Sequence, residues 1–141
     1  MTLIVAGRIG YRRVLVLIDS GSTHNFIDQR LARHLGLSIT LIDKFWVTVA
    51  NGEKLCCREK HERVKLLIQG LDMAVTFFSL PLNRLDAVLG IQWLEKLCSV
   101  TCDWGTLSMT LTRGDKVYEI VAQCKLRGHA ISNTMLGRQM S

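Results

Sequence analysis

The sequence predicts a chain built mostly of β-strands with two short helices, and three observations carry that prediction. Residues 14–18 are an unbroken apolar run that stops abruptly at Asp19, the pattern of a strand buried on both faces. Asn51-Gly52 sits between apolar runs at 45–50 and 54–57; both residues tolerate positive φ, which makes the pair a strong hairpin signal. Leu107, Met109 and Leu111 alternate strictly with Ser108, Thr110 and Thr112, as in a half-buried strand.

Taken in order, residues 3–6 form a weak first strand, punctuated by Gly7-Arg8-Ile9-Gly10, and residues 13–18 form the strand that presents Asp19. A short helix follows. Asn25 stands at its N-cap with Asp28 three residues on, Ile27, Leu31 and Leu35 recur on one helical face, and Gly36 stops it. The two hairpin limbs come next. Strands at 64–68 and 73–80 flank a turn at Gly70-Leu71-Asp72, a buried run ends at Gly90, and residues 91–97 read as helix. Arg113-Gly114-Asp115 turns the alternating strand into a last one at 117–122. From Lys125 the chain becomes polar, so residues 1–124 are expected to form one domain and residues 125–141 a loosely attached tail. The order strand, glycine turn, strand, small-residue loop, short helix occurs over 7–35 and returns over 64–97, with Leu89-Gly90 where Ser20-Gly21 stood. Only the first copy carries an acid at the turn.

Composition narrows the functional classes. At 141 residues, 48% of them hydrophobic and a single one proline, the chain has the size of one domain with a substantial core. No stretch reaches the length of a membrane span, and the apolar patch at 3–6 is too brief for a signal-peptide core, so an intracellular, non-membrane protein is expected. The net charge of +6 comes from dispersed Arg and Lys without a dense or aromatic-interleaved stripe. That distribution predicts no specific nucleic-acid partner, only a diffuse attraction to phosphate. Five cysteines without a secretory signal read as free thiols. Cys98 and Cys102 lack a nearby histidine pair, and Cys56-Cys57 with His61 lacks a fourth ligand; neither a metal site nor any cofactor is expected.

The chemistry concentrates at Asp19-Ser20-Gly21-Ser22-Thr23. A buried strand that ends in a carboxylate must hold it with hydrogen bonds, and the hydroxyls of Ser20 and Ser22 and the local N–H groups can supply them. Gly21 permits a turn that a side chain would block. From these residues alone two readings stand equal: a reactive carboxylate, or an aspartate that caps a turn or helix.

Four segments in order resemble retropepsin-type aspartic proteases, and in particular those of gypsy-type long-terminal-repeat retrotransposons of plants. They are Asp19-Ser20-Gly21-Ser22-Thr23-His24-Asn25-Phe26-Ile27, the active-site segment; Val47-Thr48-Val49-Ala50-Asn51-Gly52, the flap; Leu85-Asp86-Ala87-Val88-Leu89-Gly90-Ile91-Gln92-Trp93-Leu94, the hydrophobic-hydrophobic-Gly motif with its helix; and Cys102-Asp103-Trp104 with Leu107-Ser108-Met109-Thr110-Leu111, the closing strands. The resemblance covers residues 3–121 and implies an all-β, retropepsin-like acid protease barrel, one lobe per chain, with one or two short helices.

It also implies a mechanism. Aspartic proteases use two carboxylates that share one proton: one acts as general base on a water, the other donates to the scissile carbonyl. This chain has one Asp-Ser-Gly, so the resemblance implies a homodimer with Asp19 and its mate on the twofold axis, acting on a peptide or polyprotein in the cytoplasm or a retroelement particle. By position, Asp19, Ser20 and Gly21 fall in the catalytic segment: Ser20 clasps the partner and Gly21 offers an N–H to the carboxylate. Ser22, Thr23, His24, Asn51 and Gly52 fall on the substrate side, Ser22 bonding the outer carboxylate oxygen, Thr23 and His24 lining the groove, Asn51-Gly52 near the flap tip. Asp86 and Asp103 are expected to be structural. Besides the endopeptidase, a catalytically inactive or host-adopted binding domain of the same fold stays open, favoured by the charged, glycine-free flap limb Leu55-Cys56-Cys57-Arg58-Glu59-Lys60. A nucleic-acid binder would need a clustered basic face.

Overall fold

A computed structural model describes residues 2–48, 52–97 and 99–125. The chain folds into an eight-stranded sheet that curls back on itself and a three-stranded sheet laid beside it. In chain order the elements are β1 (Thr2–Ile9), β2 (Arg12–Asp19), β3 (Phe26–Asp28), α1 (Gln29–His34), β4 (Thr40–Thr48), β5 (Lys54–Ile68), β6 (Leu71–Leu80), β7 (Ala87–Leu89), α2 (Ile91–Leu94), β8 (Ser99–Asp103), β9 (Ser108–Arg113), β10 (Lys116–Val121) and β11 (Cys124–Lys125). The large sheet runs β11-β1-β2-β7-β3-β6-β5-β4, and an extra contact between β1 and β5 closes it. The small sheet runs β10-β9-β8. The all-β barrel with two short helices is thus the fold observed.

Closure depends on one glycine. β1 crosses β5 where Arg8 faces Leu67, and a Cβ on Gly7 would lie 2.9 Å from the Leu67 carbonyl oxygen. Any side chain there would push the two strands apart. Alternate residues of β1, β2, β5 and β6 then point into a shared apolar core that includes Val5, Val16, Leu66 and Phe77, with Met109 and Leu111 of β9 packed onto it. A second cluster, around Leu17, Phe26, Leu80 and Val88, lies on the other face of the same strands. Leu17 is fully buried, as are its neighbours Val16 and Ile18, which is why β2 reads as an unbroken apolar run.

Several boundaries differ from expectation. The first strand does not stop at Gly7 but runs to Ile9. Helix α1 is capped by Asp28, whose side chain accepts from Leu31 N; Asn25 is not the cap, and Phe26–Asp28 is a strand paired to both β6 and β7. The expected flap return and the expected strand at 64–68 are one continuous β5. The turn into β6 is Gln69-Gly70, with φ of 45° and 88°, and Leu71 and Asp72 already belong to the strand. β11 pairs with β1 through Cys124 and Lys125, so the expected domain boundary falls inside a strand, and residues 126–141 lie outside the described residues. No helix of the described residues is long and apolar enough to cross a membrane.

The internal repeat is visible in the pairings, in a different register from the expected one. β2 lies parallel to β7, and β6 lies parallel to β3. Exchange of β1-β2-β3-α1 with β5-β6-β7-α2 maps each of these pairs onto the other. In that exchange Val16-Leu17-Ile18 correspond to Phe78-Ser79-Leu80, because each trio pairs with the short strand of the opposite unit. The residue equivalent to Asp19 is therefore Pro81, and Leu89-Gly90 do not correspond to Ser20-Gly21 as expected.

Candidate active site

β2 ends on Asp19 between two neighbours: Thr2 of β1 faces Asp19, and Ile18 faces Leu89 of β7. This placement buries the carboxylate to 7% exposure. The chain turns at once. Ser22 N donates to the Asp19 carbonyl at 3.1 Å, and Gly21 N donates to Asp19 Oδ1 at 2.9 Å. The N–H expected of Gly21 is thus present, and it fixes one carboxylate oxygen. Ser20 is exposed at the tip of the turn, as are Gly21 and Thr23.

Ser22 departs from expectation. It is fully buried, and its hydroxyl donates to the His24 carbonyl at 2.8 Å. A serine has one proton to give, so Ser22 braces the loop and does not donate to the outer carboxylate oxygen. The brace continues into the second half of the repeat. Ile91 N donates to the Ser22 carbonyl at 2.8 Å, and Gly90 N donates to Asn25 Oδ1 at 2.8 Å. A Cβ on Gly90 would stand 2.5 Å from both the Ser22 and His24 carbonyl oxygens, so only glycine permits this approach. Asn25 is itself buried, and its amide donates to the Thr76 carbonyl at 3.4 Å, while Phe78 N donates to the Asn25 carbonyl at 2.9 Å. The residue expected to cap a helix instead ties the loop after Asp19 to β6 and to the end of β7.

His24 carries the second arrangement the sequence did not announce. Its ring stacks on Phe45 of β4 with centroids 5.0 Å apart, meets the edge of Phe78 at 5.2 Å and lies 5.9 Å from Phe26. Phe45 and Phe78 meet edge-on at 5.4 Å. Thr23 Oγ1 and His24 Nδ1 are 2.8 Å apart. Burial against these rings pushes the imidazole below its ordinary value of 6.5, because desolvation disfavours the charged form. The cluster joins the loop after Asp19 to the first limb of the expected flap, where Phe45–Thr48 pair with Cys57–Lys54. Gly52 is exposed with φ 87°; Asn51 lies outside the described residues.

The rival acids have structural posts. Asp86 Oδ2 accepts from Leu15 N at 2.7 Å, and the Asp86 and Leu15 backbones bond at 3.0 Å, which clamps the entry to β7 against β2. Asp103 Oδ1 accepts from Gly105 N and Thr106 N in a local turn. His61 is buried between the Ser38 carbonyl and the Ser79 hydroxyl. Cys56, Cys57 and Cys102 are not joined in disulfides, and no group of three potential metal ligands occurs among the described residues.

Two solved structures share the architecture. The retroviral protease-like domain of Ddi1 from Leishmania major superposes with a TM-score of 0.67 at 17% identity, over 88% of this chain and 95% of that one. A retropepsin-like aspartic protease from Rickettsia conorii gives a TM-score of 0.52 at 16% identity, over 72% of this chain and 76% of that one. At such identities the likeness is one of fold. No curated protein matches the sequence. Residues 6–116, spanning β2, its terminal acid, the flap limbs and the Gly90 junction, match the retroviral aspartyl protease family, and the chain belongs to that family.

Proposed function

We propose that the chain is an aspartic endopeptidase that acts as a homodimer, with two copies of Asp19 sharing a proton across the twofold axis. The observation that carries this reading is the post of Asp19: a carboxylate buried at a strand end with Gly21 N–H on one oxygen. A structural cap does not require a family-specific loop braced by two β-units. One carboxylate takes a proton from a water between the pair, and the other donates to the carbonyl oxygen of the scissile bond. Ser20 contacts the partner at the tip of the turn. Thr23 and His24 line the groove, Asn51-Gly52 closes over the peptide as a lid, and Ser22 serves by holding the loop. The substrate is a polyprotein of a retroelement of the gypsy type, cut inside the cell.

The test is cleavage of a mixed peptide library at mildly acidic pH, with Asp19→Asn as control. The wild type is expected to cleave and to be blocked by a hydroxyl-bearing peptide mimic of the transition state, and Asp19→Asn to be inert. Mixing equal amounts of the two should lower the wild-type activity by about half, since random pairing leaves roughly half of the wild-type chains in mixed dimers. No cleavage by a folded dimer would favour the second reading, a binding domain without turnover. That reading draws on the glycine-free limb of β5 and on the description of the Leishmania neighbour as protease-like.

A further inference from the structure

The opposite end of β2 holds a cleft that proteolysis does not use. It has a volume of about 720 Å³ and lies among the β1–β2 turn at Gly10-Tyr11, the segment after α1 at 35–38, and β5 at 62–65. Asp19 is far away: the seven steps from Arg12 to Asp19 along one strand span about 23 Å at about 3.3 Å each.

Three features of the cleft converge. First, β5 has an open edge here. Its pairing with β6 runs from Lys60 to Ile68 and occupies one side. On the other side the ladder to β4 reaches only Lys60, and the contact with β1 comes at Leu67. Between these points no strand of the described residues pairs with β5 on this second side, and that gap is the cleft. Second, the edge is deformed. The register with β6 shifts between His61 and Val64, and Arg63 has a φ of 54°. A bulge of this kind re-aims side chains and recurs at functional positions. Third, the charge is one-sided. Arg12, Arg63 and Lys65 are exposed around the cleft, with His34 at its rim. Its acid, Glu62, is already engaged by Lys60 at 3.1 Å. Buried Ile9 and Val64 supply an apolar floor beside these cations.

We propose that this cleft docks an extended acidic peptide segment, which adds as a short strand along the open edge of β5 between β4 and β1. Backbone pairing supplies the affinity, and alternate side chains meet the cations and the apolar floor. A nucleic acid would match the charge but not the unpaired strand edge, whose backbone groups an extended peptide satisfies. The proposal does not rest on catalysis at Asp19.

The experiment uses the whole chain and a fluorescent peptide of about six residues alternating Glu and Val, a length that spans β5 from His61 to Leu66 at about 3.3 Å per residue. Saturable binding is expected by anisotropy, with new hydrogen-exchange protection at the Arg63 and Lys65 amides. The double reversal Arg12→Glu, Lys65→Glu should weaken binding at least about tenfold. Arg63→Gly keeps the backbone geometry and removes one cation, so it should weaken binding by about threefold while the circular dichroism stays unchanged. The same peptide with Lys for Glu should not bind. Absence of binding by chain with an unaltered melting profile, or binding indifferent to the charge reversal, would overturn the proposal. So would a single-stranded RNA of equal charge that binds more tightly than the peptide and is lost on the same reversal, since the partner would then be a nucleic acid.

Discussion

The junction at Gly90 permits a sharp test of how the loop after Asp19 is held. In Gly90→Ala the new methyl carbon would lie 2.5 Å from the carbonyl oxygens of Ser22 and His24, where ordinary contact begins near 3.4 Å. Both oxygens belong to backbone and cannot rotate away. Each has to retreat by about 0.9 Å to reach ordinary contact. The Ser22 carbonyl is also the acceptor for Ile91 N, and the His24 carbonyl is the acceptor for Ser22 Oγ, both at 2.8 Å. A retreat of that size breaks both bonds. Overpacking against rigid atoms costs about 1–3 kcal/mol and each lost bond about 1 kcal/mol, for a total of about 3–5 kcal/mol. In a domain of this size that lowers Tm by roughly 10–20 °C. Urea denaturation followed by tryptophan fluorescence reads the change, Trp93 being buried beside the junction. A loss below about 1 kcal/mol with an unchanged m-value would show that the loop absorbs the methyl group, and the claim that Gly90 sets the position of Asp19's turn would fail.

Other expectations follow from the same network. Asp86→Asn leaves a carbonyl oxygen to accept from Leu15 N, so stability should fall by no more than about 1 kcal/mol and cleavage should persist, whereas Asp86→Ala should cost about 2–3 kcal/mol; abolished cleavage in a stable Asp86→Asn would give that acid a catalytic role. Asn25→Ala strands Gly90 N and the Thr76 carbonyl, and should cost about 2–4 kcal/mol by thermal melting. His24 should titrate below 6.5 by NMR, and Phe45→Ala should move its midpoint back up by uncovering the ring. The sign is fixed: with the folded value depressed, this stabilising contribution is present above about pH 6.5 and is lost as pH falls through the folded value. Burial, reinforced by Cys56 and Glu59 and opposed by backbone hydrogen bonds to Glu59 and Ser79, pushes the Cys57 thiol up. Cys57 should therefore resist alkylation in the native chain while half-exposed Cys56 reacts first, by mass-mapped labelling.

What could be read from the sequence was what local pattern encodes. The run before Asp19 announced a doubly buried strand because β2 lies between two neighbours with core on both faces. Leu107 to Leu111 announced β9 through its alternation, although Leu107 itself stands outside the strand with φ 52°. The misreadings share a cause. Asn25 looked like a cap because asparagine favours caps locally, but its partner is Gly90, 65 residues away. The turn into β6 is not marked locally, because Gln69, at φ 45°, carries none of the usual turn chemistry. The stack of His24 on Phe45 and Phe78 joins a loop to two strands distant in sequence. No periodicity within one segment encodes such a contact.

The topology bears most directly on how many acids one chain can offer. In the pseudo-twofold exchange β2 becomes β6, and the position after Leu80 is Pro81. A proline at that position supplies neither a carboxylate nor a backbone N–H. The unit's other recurring junction, after β7, is Gly90, whose packing against the Ser22 and His24 carbonyls leaves no room for a side chain. Asp86 and Asp103, the remaining acids in recognisable motifs, spend their carboxylates on Leu15 N and on Gly105 and Thr106 N–H groups. The repeat thus has the scaffold in both halves and the acid in one, and the second half braces the loop of the first through Gly90 and Ile91. On the proposed paired-carboxylate mechanism the second acid would come from another copy of the chain, and the contribution of the second half is to brace the loop that follows Asp19.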